Sequence, residues 1–299
     1  MTTTVAVTQS PSPPPTRLTA GSTTDGPFGL FANSGFSSPF FYQQFQDDFY
    51  NALGATGLYA STVVNTGVAA VHVAGDGGIA SFATSATGSS ATLIQLPAAS
   101  VNLPGQSTVT PYPATSVKKL FYLARINLSD ITTMNFIAGL CNTGATFAAG
   151  VPSVTDGIYF SKTTGSAQSL VLTAVASAGQ SPTGAGVTYT VVIPTNAYSM
   201  VNATYIDLGF YMDRQQNLMA FVGNPLMVGY APQSGAGVAQ AIAGNPLSPP
   251  RGAAAAFQQA TQPYYWSLAN LNLTLGCSNG VTASVRTMLA DFHCYQKER

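Results

Sequence analysis

Asp291 and His293 stand two residues apart in a segment that reads as a strand, so their side chains share one face. A carboxylate in that position could orient an imidazole as a general base, although an isolated pair of this kind is more often a surface hydrogen bond. The other carboxylates are scattered. Asp47-Asp48 precedes the strand-rich region and suits the cap of a short helix. Asp207 and Asp213 flank one arm of a hairpin, which suits turn and edge positions. Glycoside hydrolysis needs instead two facing carboxylates about 5 to 10 Å apart. Asp76 in Gly75-Asp76-Gly77-Gly78 and Asp156 in Thr155-Asp156-Gly157 could each offer an oxygen to calcium, but a lone Asp before Gly is ordinarily a turn former.

No serine lies in a GxSxG elbow, and none of the four lysines completes a GxxxxGK phosphate loop. The histidines, His72 and His293, are too few for a His-rich metal site. Cys141, Cys277 and Cys294 form an odd set without CxxC spacing, which fits buried thiols better than a disulfide framework. The sequons at Asn127, Asn202 and Asn272 are empty signals without a secretory route. The expectation is a protein with no catalytic residue, no metal and no cofactor.

Composition sharpens this. Only 7% of the 299 residues are charged, against about 25% in ordinary soluble proteins, and the single glutamate is Glu298. A surface covered by Ser, Thr, Asn, Gln, Gly and Ala lacks the ions that keep free proteins apart, so the chain is expected to live in an assembly. Lys and Arg total 10 and Asp and Glu total 10, with no basic cluster larger than Lys118-Lys119, which argues against nucleic-acid binding. No apolar run approaches the roughly 18 residues of a membrane-spanning helix. The start, Met1-Thr-Thr-Thr-Val, lacks the basic and apolar regions of a signal peptide, so folding in a cytoplasm is expected.

The elements that must position these residues are strands. From about Phe45 onward, short β-prone segments alternate with Gly, Pro, Asn and Asp. Leu120, Tyr122, Ala124, Ile126 and Leu128 share one face of a strand, and Ile206, Leu208, Phe210 and Met212 share one face of another. The latter leads through 213–217 into Leu218–Val222 as a hairpin. Only Gln43 to Leu53 and Ala253 to Gln259 read as helical. The pattern predicts an all-β, antiparallel jelly-roll β-sandwich over 45–299, interrupted by a long Gly/Ala/Pro loop at 231–263. Residues 1–44 read as an extended Pro/Thr/Ser-rich arm. Its second half carries Phe28, Leu30, Phe31, Phe36, Phe40, Phe41 and Tyr42, which are expected to lie on a neighbouring subunit.

Lys119–Leu128, Phe136–Leu140 and Asp156–Phe160 resemble the middle strands of lectin-like, concanavalin-type jelly-roll proteins of tailed bacteriophage virions. Asp207–Asp213 with Leu218–Val222 resembles their next hairpin, and Leu289–Gln296 their closing strand. The resemblance covers roughly 45–299. It implies a virion structural role at the capsid surface, as a decoration (cement) protein or a head-fibre or spike component. The implied partners are the major capsid protein and other virion subunits, with a homotrimer implied by the family and by the arm. A carbohydrate-binding receptor module of a phage fibre or spike is the alternative, with a glycan as its ligand. Glucanase-like members carry two Glu and an Asp on one strand, whereas this chain has no Glu before 298, so that catalytic set is not carried over. The calcium and sugar ligands of true lectins have no residue-by-residue match.

Overall fold

The computed structural model describes residues 42–49, 59–73, 78–102, 120–162, 170–178, 186–193, 200–212, 218–222, 227–231, 240–242 and 270–298. The strands are β1 (Tyr42–Asp47), β2 (Ala60–Val64), β3 (Val71–Val73), β4 (Ile79–Ala83), β5 (Ala91–Asn102), β6 (Leu120–Leu128), β7 (Asn135–Cys141), β8 (Thr146–Ala148) and β9 (Val151–Ser153). They continue with β10 (Gly157–Lys162), β11 (Leu170–Ala176), β12 (Val187–Ile193), β13 (Tyr205–Met212), β14 (Leu218–Val222), β15 (Met227–Ala231), β16 (Gln240–Ile242), β17 (Asn270–Ser278) and β18 (Thr287–Glu298).

Two antiparallel sheets enclose the core. The first is nine-stranded, in the order β16-β15-β14-β13-β6-β18-β4-β3, with β1 also paired to β18. The second is seven-stranded, in the order β12-β11-β10-β7-β17-β5-β2. Strand β18 organises the first sheet. One edge pairs with β6 along most of its length, while the other edge is shared, Thr287–Ala290 against β4 and His293–Glu298 against β1.

The alternation seen in the sequence is what the sandwich uses. Leu120, Tyr122, Ala124, Ile126 and Leu128 of β6, with Ile206, Leu208 and Phe210 of β13, point into one core with Phe136, Ala138, Leu140, Ile158, Phe160, Leu271, Leu273 and Leu275 from the facing sheet. Phe210 lies at the centre, stacked on Tyr122 at 5.1 Å between ring centroids and tilted against Phe160 of the opposite sheet at 6.3 Å. Offset rings at such separations add roughly 1 kcal/mol beyond their buried area.

The structure departs from the sequence reading at four places. Residues 42–47, overlapping the segment expected to be helical, form β1, because they pair with β18 and Phe45 packs on the core beside Tyr295 and His293. Asp47 therefore caps no helix; its Oδ1 accepts the Phe49 N–H at 2.8 Å in a turn. The long-loop segment 231–263 contributes the end of β15 and a short edge strand, β16, paired with β15. The β8–β9 hairpin went unread because its turn is Ala149-Gly150, without the usual Asn or Asp. Both residues have positive φ, 49° and 76°, as a two-residue hairpin turn demands. A Cβ at Gly150 would come within 2.6 Å of Gly280 backbone, and the Gly150 carbonyl accepts Asn135 Nδ2 and Ser278 Oγ, each at 2.6 Å. The hairpin thereby lies on the outer face of the second sheet, where Phe147 packs with Leu93, Ile137, Cys141 and Tyr159.

The segment Ala253 to Gln259 and the arm residues Phe28, Leu30, Phe31, Phe36, Phe40 and Phe41 lie outside the described residues. Tyr42 is the first residue of β1, opposite Glu298.

Two core substitutions separate packing from polarity. Phe210→Ala is expected to lower stability by about 3–5 kcal/mol, the usual cost of removing a large core ring. Tyr122→Phe is expected to be neutral or stabilising by about 1 kcal/mol, because the Tyr122 hydroxyl is buried without a hydrogen-bond partner. Urea denaturation of the two variants checks both values.

Candidate functional site

Asp291 and His293, which their spacing placed on one face, form neither a dyad nor a shared hydrogen bond. A β-bulge between Ala290 and Phe292 inserts one extra residue opposite β6 and changes the parity of β18. His293 consequently turns into the core and is fully buried, while Asp291 turns outward to Arg125, 3.6 Å from Nη1. Arg125 also faces Asp207 at 3.7 Å and lies over the Tyr205 ring, 5.3 Å from its centroid. Asp207 is thus not at an edge: β13 lies between β6 and β14, and the carboxylate is one of two that flank an arginine. Asp213 and Asp76 lie outside the described residues.

Asp156 and Asp130 are also committed. Asp156 accepts the Ser177 N–H at 2.9 Å and the Ser177 hydroxyl at 3.0 Å, joining the turn before β10 to the end of β11. Asp130 accepts the Thr132 N–H at 2.7 Å and meets Arg286 Nη2 at 2.8 Å. Burial alone would raise the Asp130 carboxyl, but hydrogen bonds from Thr132 and Thr133, with the Arg286 charge, hold it below its usual range. Lys162, almost fully buried, donates to the Ile131 and Thr132 carbonyls at 2.8 and 2.9 Å. Its pKa is lowered by burial, with the Asp130 charge opposing. Among the described residues no three His, Cys, Asp or Glu side chains gather as a metal site, and no helix is long and apolar enough to cross a membrane.

Two of the three thiols, Cys141 and Cys277, are buried and Cys294 is half-buried; none is in a disulfide. Burial pushes the Cys277 thiol up to about 12 and Cys141 further, which leaves both unreactive. The sequon asparagine Asn272 is sealed in the second sheet, with Nδ2 donating to Thr143 Oγ1 at 3.2 Å, and Asn202 Oδ1 accepts the Ile131 N–H at 2.7 Å.

One constellation has no signature in the sequence. Tyr59, just before β2, donates its hydroxyl to Asp47 Oδ2 at 2.7 Å and accepts from His293 Nε2 at 2.6 Å. This proton arrangement fixes the neutral Nε2–H tautomer and leaves His293 Nδ1 as a buried acceptor without a partner. Phe49 packs against both rings, at 6.1 Å from Tyr59 and 5.0 Å from His293. The group joins residues 12 and 234 positions apart, so no local spacing reveals it. Tyr59 and His293 are buried and Asp47 is half-buried, and the group ties β1 and the entry to β2 onto β18. Its geometry is that of a structural clamp.

The outer face of the second sheet carries a polar row in register, Gln95, Thr274, Gly139, Tyr159 and Thr173. These groups are satisfied within the protein. Gln95 Nε2 donates to Thr274 Oγ1 at 3.1 Å and to the Asn142 carbonyl at 2.9 Å, and Thr274 Oγ1 donates to the Asn272 carbonyl at 2.9 Å.

Solvent meets a different surface. β2 and β3 are the edge strands at the same side of both sheets, and residues 60–63 and 71–73 are exposed. Val63, Val68, Val71 and Val73 are 40–49% exposed, and every large apolar side chain exposed among the described residues is a valine. Between Tyr59 and Val73 the only titratable side chains are Tyr59 itself and His72.

No family model matches the sequence, and no curated protein matches it either. Among solved structures, the winged bean acidic lectin complexed with methyl-α-D-galactose aligns over 86% of this chain and 98% of its own, at 8% identity and a TM-score of 0.47. SCLam, a non-specific endo-β-1,3(4)-glucanase of family GH16, aligns over 87% and 93%, at 10% identity and a TM-score of 0.45. The CBM2 module of the evolved Dit of Lactobacillus casei BL23 phage J-1 aligns over 86% and 96%, at 10% identity and a TM-score of 0.42. None of them lends a functional residue to this chain. The strand order and antiparallel pairing define an all-β, antiparallel jelly-roll sandwich.

The clamp makes stability depend on pH. Burial holds the His293 pKa down to about 3, against about 6.5 when unfolded. Its depressed value means the contribution is complete above pH 6.5 and is lost as pH falls from 6.5 toward 3, by up to about 1.4 kcal/mol per pH unit. His293→Gln, which keeps a donor toward Tyr59, is expected to flatten unfolding free energy between pH 6.5 and 4.5. Denaturant titrations across that range measure the slope.

Proposed function

We propose that this chain is a non-enzymatic structural protein of a bacteriophage virion, a decoration protein that stabilises the head by contact with the major capsid protein and neighbouring subunits. The observation that carries this reading is the division of labour among polar groups. Asp47, Asp130, Asp156, Asp207 and Asp291 are each held by a turn amide, a hydroxyl or an arginine, while the open side of the sandwich offers valine, serine and threonine to solvent. Such a surface supports adhesion by burial and neutral hydrogen bonds, and its effect on a shell is mass action on the assembled state.

A second reading is a carbohydrate-binding module of a phage fibre or spike. Its support is the Gln95–Thr274–Tyr159 row, since amides, hydroxyls and an aromatic plane are what sugars use. The internal hydrogen bonds of Gln95 and Thr274 weigh against it.

Co-sedimentation with capsids lacking the protein separates the two. Saturable binding at a fixed ratio to the capsid protein, with a rise of several degrees in the temperature of shell disruption, is expected for decoration. Binding to host-surface glycans with no capsid binding would sink it. Removal of residues 1–41 in the same assay tests the aromatic arm, and loss of binding by tenfold or more is the expected result.

A further inference from the structure

The geometry points to β2 as a self-pairing edge, through which two copies of this chain join their second sheets across a two-fold axis. Among the described residues β2 pairs only with β5, so its outward row of N–H and C=O groups has no strand partner. Natural proteins guard such edges with lysine, proline, bulges or inward charges. Here the strand is Ala60-Ser61-Thr62-Val63-Val64, five uncharged residues without proline, and the first four are exposed. The edge of the other sheet, β3, lies beside it and is equally unguarded.

The occupant is a second copy because the edge is complementary to itself. Antiparallel pairing centred on Thr62 sets Thr62 opposite Thr62, Ser61 opposite Val63 and Ala60 opposite Val64. These are small and β-branched pairs of the kind that stabilise adjacent strands. A charged partner would gain nothing from a neutral edge, whereas another copy presents the same neutral surface. An isologous contact of this form satisfies both edges with one operation and closes as a pair. It also covers the exposed Val63 side chain with the strand of the second copy. The result is two seven-stranded sheets made continuous, an even-numbered assembly rather than the trimer that family resemblance implies.

Thr62 sits at the centre of the contact and on solvent in a single copy, so charge there leaves the fold intact while placing two like charges directly opposite in the pair. Sedimentation velocity of the full-length chain is expected to show concentration-dependent mass doubling. Thr62→Lys and Thr62→Glu, each alone, are expected to weaken it at least tenfold, with unchanged thermal melting. An equimolar mixture of the two variants is expected to restore doubling, because only self-pairing at position 62 sets Lys against Glu. A monomeric wild type overturns the inference, as does a trimer or dimer unmoved by either charge, or a mixture that fails to recover. If Thr62→Lys abolishes capsid binding while the wild type stays monomeric, the edge belongs to the capsid protein and self-pairing is overturned. A chain that doubles in mass but ignores capsids leaves this contact standing and removes the decoration role.

Discussion

Neutral hydrogen bonding is the constraint on which the rest of this sandwich depends. With 7% charged residues, buried polar groups must be satisfied by backbone and by uncharged side chains, since an orphaned buried donor costs about 1–3 kcal/mol. Asn279 shows how far this is carried. Fully buried after β17, its Nδ2 lies 2.9–3.0 Å from the carbonyls of Ser85, Thr87 and Ser284, while its Oδ1 is left without a partner. Thr92 Oγ1, between the layers, donates to the Ala83 carbonyl at 3.0 Å and also to that of Val68. At the other side Lys162 uses its ammonium to hold two carbonyls of the Asp130 turn, where a more highly charged protein would use an ion pair.

The same economy explains what the acids do. A carboxylate that closes a turn or flanks an arginine has its position set by the fold around it. Asp47 does both jobs of a clamp, accepting from the Phe49 amide with one oxygen and from Tyr59 with the other. Among the described residues, the β2 and β3 edges present exposed valine, serine and threonine side chains. What is exposed there can be buried or hydrogen-bonded.

The strands themselves were legible because alternation is a local property. Leu120 through Leu128 and Ile206 through Phe210 place their apolar residues at period two, and only one face of each could meet the core. Where the local signal was weak or contradicted by context, reading failed for identifiable reasons. Residues 42–47 carry too few apolar positions to set a period, and their strand state comes from pairing with β18. The Ala149-Gly150 turn lacks the residue types that advertise positive φ, and it is held by Asn135 and Ser278 from distant strands.

Asp291 and His293 mark the boundary between the two kinds of knowledge. Residue types and spacing determined by themselves that the chain is an antiparallel β-sandwich. Only the tertiary structure decided which way each polar side chain turned. A single inserted residue in β18 sends Asp291 to Arg125 and His293 to Tyr59. Periodicity counts residues along one strand, whereas a bulge is fixed by the register of two, and the partners it selects lie up to 234 positions away.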